Sequence, residues 1–460
     1  MRLASPWSPR LSEAEGSPYE KLVAALVEDI VQNAIPGGAR LPPHRDLAYQ
    51  LGIGLGTVTK AYSVLERRGL VQSVRGRGMF VAGSSPRRDD IIDLSINTPP
   101  QMLSDRLLAA TLIGLAKRLD AGTFSTYAPA AGSHEHRKRM SQWLASQKLE
   151  VTPDRILLCN GAQHALSVAL AVACGSGAIL LTEAITYPGA LMLARQGNLA
   201  LVGLDTDDEG VTPEALERAL RSPECASGPR VLYVTPTLQN PTTATMGPGR
   251  RQDIVRLCKV HDVTIVEDDV YSIFAPLNLL PLAALAPERT LYVTGLSKTL
   301  SPGLRIGALV VPPAFIERSL SKLQATCSMT SPIACMIMEQ WLTDGTAASV
   351  ASSIRSDATK RTQLAMMRLP SRLRQAATTG FHVWLPMPLI EAEHLARAAA
   401  NVGVLVMSPT AALVDPHATQ GGVRLSLGGP SIGALGQALT TIAGLFDQGA
   451  QRVSRERVAL

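Results

Sequence analysis

The chain has 460 residues, which is enough for a small module and a larger body with two lobes. Hydrophobic residues make up 46% of it and charged residues 18%, and this composition excludes a disordered chain. The formal net charge is +6, and the six cysteines form no Cys-x-x-Cys pair, so a disulfide framework and a zinc site are disfavoured and a reducing, cytoplasmic interior is expected.

The N-terminal region has the apolar spacing of three helices. A helical repeat runs over residues 19–33, and Pro36-Gly37-Gly38 ends it. A short helix is predicted over residues 41–51, a turn over 52–54 and a further helix from about Leu55. The apolar residues of this last helix fall at i, i+3, i+4 and i+7 and form one buried face, made of Val58, Ala61, Tyr62 and Leu65. The residues that point elsewhere, Thr57, Thr59 and Lys60, suit a DNA major groove.

A two-stranded wing is predicted next. Residues 70–74 alternate like a strand, residues 79–81 form its partner, and the turn between them carries Arg75 and Arg77. Between residues 37 and 88 the chain has nine basic and two acidic residues, a local excess of +7, so the remainder of the chain is close to neutral. Such a concentration is typical of proteins that bind the phosphate backbone of nucleic acids. An ordinary helical bundle with solvated loop arginines is the alternative interpretation.

The order and spacing of residues 41–81 resemble the GntR-type winged helix-turn-helix. The shared pattern is Leu-Pro, Arg, Leu-Ala, Thr-Val, Ala-Tyr, Leu, Gly-Leu and Gly-x-Gly-x-Phe-Val. Many members have a polar or basic pair before Thr-Val, where this chain has Leu55-Gly56. The resemblance implies binding to double-stranded DNA, with candidate contacts at Arg45, Thr57, Thr59, Lys60, Arg75 and Arg77.

Beyond a short charged segment, strand-like apolar runs alternate with helical segments. The alternation predicts an α/β body with a mainly parallel sheet. One stretch, residues 156–181, has no Asp, Glu, Lys or Arg, but its polar and glycine residues favour strand, turn, buried helix, turn and strand over a membrane span. The predicted strands cover residues 156–159, 178–181, 231–235, 263–266, 291–294 and 307–311.

These patterns predict the domain organisation. A winged helix-turn-helix domain spans residues 18–83 and a larger α/β body spans residues 93–450, with a small lobe over about residues 371–450. The remaining segments are an N-terminal lead (1–17), a linker (84–92) and a tail (451–460). The lead has no apolar run of signal-peptide length, so export is not expected.

Polar residues follow three of the predicted strands, where ligands bind in parallel sheets. Residues 160–166 form a turn that opens a helix, and free amides at such a helix start suit a phosphate. The Glu267-Asp268-Asp269 run places carboxylates in an apolar context, where a protonated pyridine nitrogen would be a suitable partner. Lys298 stands among small and apolar residues, where desolvation lowers the pKa of an amine and makes it a Schiff-base candidate.

Over about residues 93–445 the chain resembles the fold-type I aminotransferases, which use pyridoxal phosphate. The resemblance implies that Lys298 forms an aldimine with the cofactor, that Asp268 bonds its pyridine nitrogen, and that Arg424 grips the α-carboxylate of a substrate or effector. The other implied cofactor contacts are Tyr271 and Asn240 on the phenolic oxygen, Tyr187 stacked on the ring, Ala162, Gln163, Ser297 and Arg305 at the phosphate, and Tyr127 reaching the phosphate across a dimer interface.

Two local features qualify this assignment. The chain has Gly295 where the family commonly has a hydroxyl residue, so phosphate contacts from Ser297 or Thr294 stay open. His134-Glu135-His136 lacks the i, i+4 spacing that would place two imidazoles together on a helix, so no metal site is expected and a solvated helix start is favoured.

A winged helix of this type joined to an aminotransferase-like body is the arrangement of the MocR branch of GntR-type regulators. The resemblance implies a homodimeric transcription regulator, without a membrane partner, that senses an amino compound or pyridoxal phosphate itself through Lys298. Two alternatives stay open. One is a working aminotransferase for an amino acid and a 2-oxo acid, and the other is a body that retains the fold but binds no cofactor.

Overall fold

The computed structural model describes residues 7–13, 16–32, 34–35, 39–68, 70–74, 78–81, 91–225, 228–276, 278–369, 373 and 379–458. The chain divides into two compact units, an N-terminal unit up to Ile91 and a larger unit that begins at Ile92 and takes in most of the remaining chain. Within these described ranges, no helix is long and apolar enough to cross a membrane.

The N-terminal unit contains three helices and a two-stranded antiparallel sheet. Its elements are α1 (Pro18–Val31), α2 (His44–Leu51), α3 (Leu55–Arg67), β1 (Val71–Val74) and β2 (Gly78–Val81). The predicted inner face of α3 is buried against α1 and α2, with Val58, Ala61, Tyr62 and Leu65 all inaccessible to solvent. The helical periodicity therefore identified the core of this unit correctly.

The helix predicted over residues 41–51 begins only at His44. Leu41 instead lies before the helix, and its amide donates to the carbonyl of Met79 at 2.9 Å. The prolines at 42 and 43 explain the difference, because each disfavours the helical conformation in the residue before it. The first helix ends at Val31, while the expected stop at Pro36-Gly37-Gly38 lies outside the described residues.

The larger unit is built on a seven-stranded sheet. Its strands, in chain order, are β4 (Ile156–Cys159), β5 (Ile179–Glu183), β6 (Ala200–Leu204), β9 (Arg230–Val234), β10 (Thr264–Asp268), β11 (Thr290–Gly295) and β12 (Gly307–Val310). Two short strands, β7 (Thr206–Asp207) and β8 (Gly210–Val211), pair with each other. The order across the sheet is β4-β12-β11-β10-β9-β5-β6, and only the two pairings of β12 are antiparallel. This architecture confirms the predicted α/β body with a mainly parallel sheet.

Helices cover the sheet of the larger unit. They are α4 (Asp105–Ala116), α5 (Ala121–Ser125), α6 (His134–Ser146), α7 (Ala162–Ala173), α8 (Pro188–Gln196), α9 (Pro213–Leu220), α10 (Pro248–Val260), α11 (Leu282–Leu285), α12 (Ile316–Thr326), α13 (Pro332–Thr343) and α14 (Thr346–Arg368). Residues of α7 and α8 share one core with the sheet, those of α9 and α10 share a second, and those of α6, α13 and α14 share a third. The uncharged stretch 156–181 is a strand, a buried helix and a strand, as its pattern predicted.

A separate apolar core lies in the C-terminal part of the chain. It involves β13 (His382–Pro388), α15 (Leu389–Asn401), β14 (Val404–Leu405), β15 (Gln420–Ser426) and α16 (Ile432–Val458). Strands β13 and β15 pair antiparallel, and β14 pairs with β3 (Ile92–Asp93) at the start of the unit. This lobe and the large sheet together contribute the polar residues that meet at one site.

Candidate functional site

Lys298 lies in the loop that follows β11. Its Nζ donates a hydrogen bond to the carbonyl oxygen of Asn97, in the segment that follows β3. Burial lowers the pKa of Lys298 to about 8, with Arg424 contributing and Asp268 opposing the shift. A lysine whose pKa is lowered in this way has a much larger neutral fraction near neutral pH than an ordinary lysine, and the neutral form is the nucleophilic one.

Asp268 is the last residue of β10, in the middle of the sheet. Its Oδ2 accepts a hydrogen bond from the hydroxyl of Tyr233 at 2.9 Å, while its buried Oδ1 has no partner within the described residues. Burial raises the pKa of Asp268 to about 7, against the opposing effect of Tyr233. A buried carboxylate oxygen without a donor is costly, so this side chain suits a cationic or N–H-bearing group. A pyridine nitrogen fits that requirement.

The start of α7 lies beside the loop that carries Arg305. Gly161 precedes this helix with φ +86°, and a Cβ at this position would lie 2.4 Å from a guanidinium nitrogen of Arg305. Arg305 donates to the carbonyl of Asn160 and to the Oγ of Ser297, both at 3.3 Å. The helix start at Ala162, the Ser297 hydroxyl and a cation therefore converge, and this combination suits a phosphate.

Close packing against the start of α7 explains why position 295 is a glycine. A Cβ there would lie 3.1 Å from the Cβ and 3.2 Å from the amide nitrogen of Ala162, so a side chain would crowd the start of α7. The Thr294 hydroxyl does not take over the missing hydroxyl role, because it donates to the carbonyl of Asp269 at 3.0 Å. Of the two candidates left open by the sequence, Ser297 is the one beside Arg305.

Tyr187 caps the start of α8 and contacts Gln163 of α7. The Tyr187 hydroxyl donates to Oε1 of Gln163 at 3.0 Å, and the Gln163 amide donates to the carbonyl of Gly189 at 3.0 Å. Burial raises the pKa of Tyr187 to about 12. This pair connects the start of α7 to the aromatic side chain that the sequence assigns to the cofactor ring.

Arg424, on β15, reaches the site from the C-terminal lobe. Its Nη1 donates to Oδ1 of Asn240 at 2.8 Å, and its Nη2 donates to the carbonyl of Ser95. Its Nε is buried without a partner within the described ranges, and burial lowers the pKa of the guanidinium. Because Asn240 uses its oxygen on Arg424, its NH₂ group remains the end that can donate to another acceptor. Asn240 is followed by a cis peptide bond to Pro241.

Four residues of the site were not predicted: Asn97, His382, Tyr233 and Ser95. Two of them lie beside the predicted Tyr271, which follows β10. Tyr271 accepts a hydrogen bond from the side chain of Asn97 at 2.6 Å, and the ring of His382 lies 5.5 Å from its ring. A polar residue in an otherwise apolar strand was the available signal for Tyr233, but the roles of Ser95 and Asn97 depend on contacts across more than a hundred residues of chain.

Tyr127 is the cofactor candidate that stands apart from this cluster. Its side chain is 82% exposed, in the segment after α5. An exposed tyrosine is compatible with a role at another subunit, which was the role that the sequence implied.

The DNA-binding candidates lie in the N-terminal unit. On α3, Thr59 and Lys60 are exposed and Thr57 is half-buried, and Arg45 is exposed on α2. The ammonium of Lys60 lies 3.8 Å from the ring centroid of Tyr19, which is a cation–π contact. Arg75 and Arg77 lie outside the described residues.

His134 and His136 lie at the start of α6, where Ser133 caps the helix. His136 faces Glu339 at 3.6 Å. Across the residues that the structure describes, no group of three or more His, Cys, Asp and Glu side chains could hold a metal ion.

Comparisons with known proteins match both units. Residues 89–442 match the family model of aminotransferase class I and II, and residues 18–81 match that of bacterial regulatory proteins of the gntR family. The chain is 27% identical over 453 residues to the HTH-type transcriptional regulator YdeF of Bacillus subtilis, covering 96% of this chain and 97% of that protein. It is also 27% identical over 297 residues to the HTH-type pyridoxine biosynthesis transcriptional regulator PdxR of Corynebacterium glutamicum, covering 62% of this chain and 63% of that protein.

Among solved structures, an archaeal alanine:glyoxylate aminotransferase matches the fold with a TM-score of 0.71 and 22% identity, covering 85% of this chain and 95% of that one.

Proposed function

Because the chain belongs to the aminotransferase class I and II family and has a gntR-family domain at its N-terminus, we propose that it is a transcription regulator whose body senses a ligand through pyridoxal phosphate at Lys298. The domain pairing carries this proposal. A DNA-binding unit contributes nothing to an aminotransferase reaction, whereas a transcription regulator requires one. The full-length similarity to YdeF supports the same conclusion.

Pyridoxal phosphate is the cofactor of this family, and the site fits it. When bound, it supplies an aldehyde that condenses with amines and a pyridine ring that withdraws electrons. The fit rests on the orphaned Oδ1 of Asp268, on the crowded start of α7 beside Arg305, and on the lowered pKa of Lys298.

The residues have distinct roles in this proposal. Lys298 provides the amine that holds the cofactor, and Asp268 accepts from its ring nitrogen. Ser297, Arg305 and the amides at Ala162 and Gln163 hold its phosphate. Tyr187 packs on the ring, and Tyr271 and Asn240 donate to the phenolic oxygen.

Arg424 is the candidate for recognising the carboxylate of an effector. It is buried and reaches the site beside Asn240, and a guanidinium binds carboxylates with two parallel hydrogen bonds. An incoming carboxylate would compete with the Ser95 carbonyl for Nη2. The effector class is therefore an amino compound, with a carboxylate favoured, or pyridoxal phosphate itself.

Double-stranded DNA is the partner of the N-terminal unit, with Arg45, Thr57, Thr59, Lys60, Arg75 and Arg77 as contacts. A homodimer would bring two such units to paired half-sites. Exposed apolar side chains support a dimer, because α4 exposes Leu108, Leu112 and Ile113, and the exposed Tyr127 would then complete a partner's phosphate site.

The proposal is tested with the purified full chain. Adding pyridoxal phosphate should produce a visible absorption band. Borohydride should abolish this band and leave the cofactor covalently attached to the protein, and Lys298→Ala should show neither effect. An unchanged band in Lys298→Ala would refute the assignment.

The completeness of the site favours aminotransferase activity as a second candidate function. An amino donor and a keto acid mixed with the loaded protein would distinguish the two. Sustained turnover at enzyme-like rates would establish an enzyme, whereas a single partial conversion fits a sensor.

A further inference from the structure

Four polar groups form a buried chain of hydrogen bonds beside the site. The His382 Nε2 lies 3.3 Å from the carbonyl oxygen of Gln239, and its Nδ1 lies 3.4 Å from the amide nitrogen of Asn97. The same Asn97 nitrogen lies 2.6 Å from the hydroxyl oxygen of Tyr271. His382 and Asn97 are only 1% and 7% exposed, so their hydrogen-bonding groups depend on each other rather than on bulk solvent.

The carbonyl of Gln239 fixes the tautomer of His382. A carbonyl oxygen only accepts, so the facing Nε2 must carry a hydrogen. Burial and the nearby Arg424 lower the pKa of His382 to about 3, so the ring is neutral near pH 7 and carries no second hydrogen. Its Nδ1 is therefore an acceptor.

The acceptor on His382 in turn fixes the amide of Asn97. Only the NH₂ end of an amide can face an acceptor nitrogen, so the amide oxygen cannot take that position. The NH₂ group has two hydrogens, one for Nδ1 of His382 and one for the oxygen of Tyr271. The Asn97 Oδ1 has no partner within the described residues, so no hydrogen bond to this oxygen opposes the assigned orientation of the amide.

The consequence falls on Tyr271. Its oxygen accepts from Asn97, so its own hydrogen is not directed at Asn97 and remains available to another acceptor. We propose that His382 and Asn97 are positioning residues that keep the hydroxyl of Tyr271 a hydrogen-bond donor toward the phenolic oxygen of the cofactor. The inference rests on the proposed function, because it assigns a purpose to Tyr271 only when pyridoxal phosphate is held at Lys298.

Asn240 is the second residue assigned to the phenolic oxygen, and Arg424 sets the orientation of its amide. By binding Oδ1 of Asn240 it leaves that residue's NH₂ group as the donating end. Both donors assigned to the phenolic oxygen thus have their orientation set by a buried neighbour, and His382 and Arg424 both come from the β13–β15 pair of the C-terminal lobe.

The test is a pH titration of the visible band of the cofactor-loaded protein. A hydrogen bond to the phenolic oxygen stabilises its negative charge, so losing the Tyr271 donor should make the lysine-bound cofactor hold its proton more tightly. We expect Asn97→Ala and Tyr271→Phe each to raise the pH midpoint by about one unit, the shift that corresponds to one such hydrogen bond. The double variant should show no further rise, because Asn97 acts through Tyr271.

Matched variants separate positioning from general disruption. Thr98→Ala removes a polar side chain one residue further along the segment and should keep the wild-type midpoint. His382→Gln retains one donor and one acceptor and should stay near the wild-type value, whereas His382→Phe retains neither and should match Asn97→Ala. Asp268 and Arg424, the charged groups that act on Tyr271, are unchanged in every variant.

The outcomes distinguish the two levels of the proposal. No lysine-linked band in the wild type would overturn the proposed function together with this inference. A normal wild-type band with an unchanged midpoint in Asn97→Ala, or equal and additive shifts in the double variant, would overturn the positioning role alone.

Discussion

The two units expose their functional residues in opposite ways. In the N-terminal unit, Thr59, Lys60 and Arg45 are exposed on helices whose opposite faces form the core. In the larger unit, Asp268 and Arg424 are buried and are bonded to residues from distant parts of the chain. The DNA-binding candidates can therefore be read from helical periodicity, whereas the cofactor site depends on tertiary contacts. The same difference predicts large effects for substitutions in the buried site and small ones on the exposed helices.

The largest effect within this comparison is expected at Asp268. Asp268→Asn keeps the shape but removes the charge that would pair with the ring nitrogen, and cofactor affinity should fall about 100-fold, as for a buried bond to a charged group. Equilibrium titration of the visible band measures this. Asp253→Asn, on the exposed side of α10, is the matched control. An Asp268→Asn protein with wild-type affinity would remove the main evidence of fit.

The lowered pKa of Lys298 predicts how cofactor incorporation depends on pH. The amine must be neutral to react, and its pKa is about 8, so the rate should fall about tenfold for each pH unit below 8 and level off above it. Stopped-flow absorbance would follow the reaction. Free Nα-acetyl-lysine, with an ordinary pKa, should instead keep accelerating beyond pH 8. A protein profile that matches the free amine would contradict the desolvated lysine.

Arg424 should discriminate among effectors. Arg424→Lys keeps the charge but loses the planar pair of donors, so the affinity of the loaded protein for an amino acid should fall roughly tenfold. The affinity for the matching amine without a carboxylate should change little. Spectral titration with both ligands gives the ratio, and equal losses for the two would refute carboxylate recognition.

The smallest effects are expected on the exposed helices. Arg45→Ala should weaken DNA binding about three- to fivefold across sequences and reduce the salt slope by about one. Lys60→Ala should have a smaller effect, because its ammonium already contacts the ring of Tyr19. Fluorescence anisotropy at several salt concentrations would rank the two, and a larger loss for Lys60→Ala would reverse our interpretation of that contact.

The sequence predicted the architecture well because its signals are local. The periodicity of α3 and the alternation of strands and helices depend on neighbouring residues. The predicted start of the second helix at Leu41 was wrong, because the prolines at 42 and 43 delay the helix by three residues, to His44. Within the site, the family resemblance supplied Lys298 and Arg424.

The resemblance could not supply the partners of these residues. Asn97 reaches Lys298 across 201 positions, and Ser95 reaches Arg424 across 329. Only the folded chain brings them together. The requirement for glycine at position 295 likewise comes from its packing against α7, which the local sequence does not reveal.

The central claim is that ligand occupancy at Lys298 controls DNA binding. The most direct measurement is the affinity of the full chain for a DNA fragment selected with it from a random library. It is measured without ligand, with saturating pyridoxal phosphate, and with pyridoxal phosphate plus a panel of amino acids and amines. We predict that at least one ligand state changes the wild-type affinity and that Lys298→Ala, with the same basal affinity, does not respond. Wild-type affinity that stays constant across all ligand states, or an equal response in Lys298→Ala, would contradict the account.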